Sequence, residues 1–282
     1  MGAPSGVDGR EPRFEPVVND APGELTPEQI ARFNADGYLK PFRIFDPEEV
    51  AANRRYFDRL LDGLRQMGDG RDAYALNGYH DQCRGLYDLV TDPRILAHVA
   101  DLCGPDFVCW GSHFFCKLPG DPRTVPWHQD APYWPFESAR TITAWLAIDD
   151  TDVGNGAMQV IPGSHLLGQL GWRDATGPTV LPTELLGVEQ YGRAVPFELR
   201  AGEISLHADL LAHGSPANHS MRRRCGLTIR YCPVAVRAGK SDWNGHSILC
   251  KGRDPAGYWA NVPRPAGEDL TSKAWQRAVQ AG

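Results

Sequence analysis

Apolar positions recur at helical spacing in the first hundred residues and at strand spacing beyond them. "LTPEQIARFNADGYLK" predicts a capped helix: Thr26 is the N-cap, Pro27 takes the first helical position, Gln29 closes a capping box, and Gly37 stops it. Residues 46–66 open on Asp46-Pro47 and carry Val50, Phe57, Leu60, Leu61 and Leu64 on one face, which predicts a second amphipathic helix. "DPRILAHVADLCG" (92–104) repeats the device, with Asp92 capping and Gly104 stopping. Three helices with one apolar face each need a surface to cover, and one face of a sheet supplies it.

That sheet is expected from residue 106 onward. "FVCWGSHFFCKL", "TITAWLAIDD", "GAMQVIPGS", "GEISLH" and "CGLTIRYCPV" are short β-rich runs separated by Gly, Pro, Asn and Asp. Helices followed by many short strands predict an α+β, mainly β, sandwich or barrel with flanking N-terminal helices. Residues 166–195 show no period, and a stretch that long predicts a lid or substrate loop. Residues 1–23 are polar and proline-rich, read as a mobile tail; 268–280 reads as a last helix. Without a repeat or linker, 24–282 is read as a single domain.

Composition narrows the function. The 282 residues are 42% hydrophobic, enough for a substantial core, and 30 Gly with 23 Pro suit a turn-rich β fold. A net charge of −6 gives no electrostatic basis for nucleic-acid binding, and no apolar run nears the roughly 20 residues that span a bilayer. The start lacks the apolar segment of a secretory signal. Seven scattered cysteines with no Cys-x-x-Cys fit free thiols in a reducing cytosol. A cytoplasmic protein with a small-molecule partner is expected.

The chemistry sits in "TVPWHQDAPYWPF" (124–136), a polar island among prolines and aromatics. Residues i and i+2 of a strand share a face, so His128 and Asp130 would offer an imidazole and a carboxylate side by side. His-x-Asp also occurs as His207-Ala208-Asp209, so the pattern alone is weak. A 2-His-1-carboxylate metal site needs a distant second His and leaves positions open; a dicarboxylate cosubstrate would further need a bidentate Arg. "HGSPANHSMRRRCGLTIRY" (213–231) supplies His213, Ser215 as a hydroxyl donor, and Arg224, although Arg222 has the same strand parity.

The segments "WHQDAPYWPF", "TAWLAIDD", "GNGAMQVIPGSH" and "HGSPANHSMRRRCGLTIRY" together resemble the phytanoyl-CoA dioxygenase family of Fe(II)/2-oxoglutarate-dependent oxygenases, over about residues 106–234. The resemblance implies a double-stranded β-helix (a jelly-roll, cupin-like core). It implies iron held by His128, Asp130 and His213, and 2-oxoglutarate held by Arg224 with Ser215, beside Trp145. The family's eleven-residue interval from His213 selects Arg224 over Arg222. Related halogenases replace the carboxylate ligand with a small residue, so Asp130 implies the hydroxylase type, with succinate and CO2 released.

Gln129, Tyr133, Trp134, Phe136, His207, Asp209 and His165 are candidates for substrate contact or for supporting the ligands, while Arg230 reads as structural or charge-balancing. A small metabolite, such as a bacterial natural-product intermediate, is the expected substrate. A cupin-like dioxygenase needing no 2-oxoglutarate and a silent binding module are the competing readings.

Overall fold

The computed structural model describes residues 11–239 and 243–271. Four α-helices precede most of the sheet: α1 Pro27–Asp36, α2 Pro47–Gln66, α3 Arg84–Val90 and α4 Pro93–Cys103. Thr26 and Gln29 form the expected capping box, Gly37 closes α1 in the left-handed region (φ 83°), and Asp46 and Asp92 cap α2 and α4. The pattern missed α3, which is only seven residues long.

The strands are β1 Tyr38–Arg43, β2 Phe107–Lys117, β3 Val125–His128, β4 Ile142–Ala147, β5 Gln159–Val160, β6 Trp172–Asp174, β7 Thr183–Leu185, β8 Val195–Pro196, β9 Glu203–Ala208, β10 His213–Ser215, β11 Arg224–Pro233 and β12 Ile248–Lys251. A six-stranded sheet runs β1-β9-β4-β11-β2-β12, and a four-stranded sheet runs β3-β10-β5-β8. Antiparallel pairing throughout both sheets makes the jelly roll. β1 was not anticipated because Pro41 lies within it; at the sheet edge a strand tolerates the lost donor.

Alternation sorts the large sheet into two chemistries. Ile142, Ala144 and Leu146, with Ile204 and Leu206 and with Leu227, Ile229 and Tyr231, join the core formed with Phe33 of α1, Phe57, Leu60, Leu61 and Leu64 of α2, and Ile95 and Val99 of α4. The intervening positions, among them Trp145, His207, Arg224, Thr228 and Arg230, turn to the small sheet and line a cavity. The helices therefore cover one face, as expected, and leave the other for chemistry.

Two segments depart from the sequence reading. Residues 11–23, read as part of a mobile tail, lie against the body. Phe14 meets His165 edge-on at 4.4 Å, Val17 N–H donates to Asn34, and the N–H groups of Gly23, Glu24 and Leu25 donate to the Asp101 carboxylate. Residues 1–10 lie outside the described residues. The 166–195 segment contains the β6–β7 hairpin (Trp172 opposite Leu185), and Gln129 ties its start to the body. The helix expected over 268–280 lies beyond the described residues except 268–271, which are not helical.

Candidate metal centre and interior cavity

β3 and β10 are antiparallel neighbours, with His128 directly opposite His213. The imidazole rings lie 4.1 Å apart. Asp130 does not reach them by strand alternation, because β3 ends at His128 and Asp130 adopts a helical conformation (φ −74°, ψ −44°). The chain turns there because the Asp130 and Ala131 N–H groups both donate to the Asp209 carbonyl, at 2.9 Å each. The result is a triad: one donor atom from each of His128, Asp130 and His213 lies within 4.8 Å of the others, all buried.

The protonation pattern suits a metal. His128 Nδ1 faces the Pro126 carbonyl at 2.8 Å, and His213 Nδ1 faces the Leu211 carbonyl at 2.9 Å. A carbonyl only accepts, so both Nδ1 atoms carry the proton and both Nε2 lone pairs are free. Burial, then the neighbouring His128, pushes His213 down to about 3, so it stays neutral. Burial would raise the Asp130 carboxyl, but its contact with His128, 3.5 Å away, and the proximity of His213 and Arg230 hold it well below the usual carboxylate range. Two imidazole nitrogens and an ionised carboxylate are the donor set of a facial triad for a divalent iron.

Around the triad a cavity is lined by Phe115, Val125, Trp145, Met158, His207, Gly214, Ser215, Arg224, Thr228 and Arg230 as well as the triad itself. Arg224 is 2% exposed, and its Nη2 donates to Ser215 Oγ at 2.9 Å. Its other donors reach the Gly156 and Phe115 carbonyls, and no described carboxylate pairs with it. A buried guanidinium with only neutral partners favours an anion beside it. Arg222, which sequence parity left level with Arg224, instead pairs with Asp152 outside the cavity, and Arg223 pairs with Asp149. Lys117 lies opposite Arg224; burial, then Arg224, pushes it down to about 6.

Trp145 lines the cavity with its ring across Gly226, where an added Cβ would meet the indole at 2.0 Å. Of the other candidates, His207 lines the cavity, 5.1 Å from His213, and burial pushes it down to about 4. Asp209 supports Asp130 through its backbone carbonyl, while its carboxyl accepts from Thr141 N–H. Gln129 points away from the cavity, holding the Gly168 and Leu210 carbonyls and the Leu170 N–H. Tyr133 reaches Thr183 of β7, beside His128. Trp134 and Phe136 pack on Trp110 in an aromatic cluster. His165 is not among the residues that line the cavity: it bonds the Asn34 carbonyl and packs on Phe14. Arg230 was read as structural, yet it lines the cavity; its shared parity with Arg224 on β11 is the signal that could have placed it. A larger cleft lies between residues 14–21 and α4 and lacks the triad.

The family model of phytanoyl-CoA dioxygenase (PhyH) matches residues 33–226. An ectoine dioxygenase of Streptomyces coelicolor is 26% identical over 169 residues, covering 55% of this chain and 56% of that protein. The chain thus spans little more than half the length of that relative. An L-proline trans-4-hydroxylase of Streptomyces griseoviridis is 26% identical, covering 71% of this chain and 84% of that protein. Among solved structures, the apo form of the non-heme monooxygenase ThoJ is similar at a TM-score of 0.72 and 26% identity, covering 89% of this chain and 93% of that one.

Proposed function

The chain belongs to the phytanoyl-CoA dioxygenase family, whose members use Fe(II) and 2-oxoglutarate, and from that premise we propose that it oxidises an unactivated C–H bond of a small metabolite. One observation carries the reading: a buried triad of correct protonation shares its cavity with a buried arginine that lacks a carboxylate partner.

In this reading His128, Asp130 and His213 hold the iron, and Arg224 with Ser215 holds the distal carboxylate of 2-oxoglutarate. The bound iron and cosubstrate supply the oxidising chemistry, coupled to release of succinate and CO2. The chain's residues orient and exclude. The carbonyls of Pro126 and Leu211 fix the two imidazole tautomers, and the Asp209 carbonyl holds the Asp130 backbone. Gly226 leaves room for the Trp145 ring, which walls the cavity. Aromatic and aliphatic packing on both sides keeps water from the reacting carbon.

An aspartate at 130 favours hydroxylation over halogenation, since it occupies the position a halide would need. The names of the ectoine and proline relatives support a small polar metabolite as substrate, and a bacterial natural-product intermediate is the working choice. The test is succinate formation from 2-oxoglutarate by the Fe(II)-loaded protein in air, with a metabolite panel in chloride-containing buffer. Wild type is expected to form succinate and an oxygenated, chlorine-free product, and His213→Ala to lose about a hundredfold of the rate. Equal succinate from both proteins would refute the assignment.

A further inference from the structure

Resting on that reading and deepening it, we infer that Arg230 anchors the substrate, and that the substrate carries an oxyanion, most simply a carboxylate. Arg230 is 3% exposed and lines the same cavity as the triad. Its guanidinium lies over the rings of Trp110 and Trp134, at 5.7 Å and 5.4 Å, which orients it without satisfying its donors. It forms no hydrogen bond or ion pair with any described residue, and its buried Nε has no acceptor. Asp130, the carboxylate whose charge Arg230 feels, forms no hydrogen bond or ion pair with it and belongs to the triad. A buried, unpaired arginine is costly, and a ligand that supplies the missing acceptor removes the cost.

Two further observations point the same way. Arg230, Thr143 and His207 form one row across β11, β4 and β9 in direct register. Thr143 Oγ1 and His207 Nδ1 are likewise buried without a partner, so three adjacent side chains lack acceptors or donors in one place. Cross-strand neighbours stand about 5 Å apart, close enough for one bound group to serve Arg230 and Thr143 together, with His207 one strand further along the row. Charge gives the second argument. With iron and 2-oxoglutarate bound, the metal, Asp130, the dianion and Arg224 cancel, and Arg230 is left as an uncompensated cation. A monoanionic substrate neutralises it. Arg224 and Arg230 are six residues apart on one strand, about 20 Å along it, so the two anions have separate anchors.

The experiment is calorimetric titration of the anaerobic Fe(II) protein, with and without saturating 2-oxoglutarate, using phenylacetate, phenyl phosphate and neutral phenylacetamide. Wild type is expected to bind at least one of the anions and not the amide; which one it binds separates a carboxylate from a phosphate ligand. Arg230→Gln should weaken anion binding at least tenfold, with Arg230→Lys between the two and iron content and 2-oxoglutarate affinity unchanged. Arg224→Gln should impair 2-oxoglutarate and spare the anion. No anion binding, equal binding of acid and amide, sensitivity to Arg224→Gln in place of Arg230→Gln, or loss of iron in Arg230→Gln would each overturn the inference. Should Arg230→Gln fold poorly, the acid–amide comparison in wild type and the lysine variant still decide it. Failure of 2-oxoglutarate to bind wild type would sink the oxygenase reading alone, because anion binding at Arg230 is read without it.

Discussion

His128 and His213 each fasten one ring nitrogen to a carbonyl two residues back in the chain, and this local closure leaves the opposite nitrogen free to bind a metal. Asp209 shows the cost of supporting such a site. Burial, reinforced by the charge of Asp130 and opposed by the Thr141 N–H bond, pushes its carboxyl up to about 8. A carboxyl raised in the folded state makes the unfolded chain bind fewer protons between the ordinary value near 4 and about 8, so stability falls as pH rises through that window. Asp209→Asn keeps an acceptor for Thr141 N–H and removes the titration. Its stability relative to wild type should be near equal at pH 4, grow by up to ~1.4 kcal/mol per pH unit, and level off above pH 8. Chemical denaturation across that range checks it; a difference that shrinks with rising pH would contradict the assignment.

Strand alternation organises the site at the scale of elements. On β11, Arg224, Gly226, Thr228 and Arg230 face the cavity while Leu227, Ile229 and Tyr231 face the helices. Gly226→Ala would drive a methyl into the Trp145 indole, now 2.0 Å from that point. The expected result is a lower affinity for 2-oxoglutarate and a loss of about 1–3 kcal/mol of stability, read by calorimetry and thermal denaturation. Gln129 holds three backbone groups across the 166–170 and 210 segments. Gln129→Ala should cost about 1–3 kcal/mol and open the chain near residue 168 to limited proteolysis, which mass analysis of the fragments would locate. Much of this was legible in the sequence. Caps and 3.6-residue periodicity marked α1, α2 and α4, and four spaced motifs marked the triad and Arg224. What escaped depends on tertiary context. The turn that brings Asp130 to His128 relies on a carbonyl 79 residues away, Pro41 disguises β1, and only packing shows that Arg230 lines the cavity while His165 turns to Asn34 and Phe14.

The whole molecule is a jelly roll whose helical face is apolar and whose interior is polar and charged. No helix among the described residues is long and apolar enough to cross a membrane. Six of the seven cysteines are buried and Cys250 is partly so, with no disulfide, and burial pushes Cys250 up to about 12. A thiol reagent should therefore count at most one fast-reacting group in the native protein and seven in denaturant; several fast native thiols would mean a looser core than this packing implies. One interior is expected to hold iron and 2-oxoglutarate together, with His128 and His213 on one sheet, Asp130 in the turn after β3, and Arg224 on the other sheet. Anaerobic titration of the Fe(II)-loaded protein with 2-oxoglutarate, followed by the weak visible charge-transfer band, tests it most directly in wild type and Arg224→Ala. A saturable band is expected in wild type, with at least a tenfold higher half-saturation in the variant. Iron bound with no band in wild type, or the same half-saturation in both proteins, would contradict it.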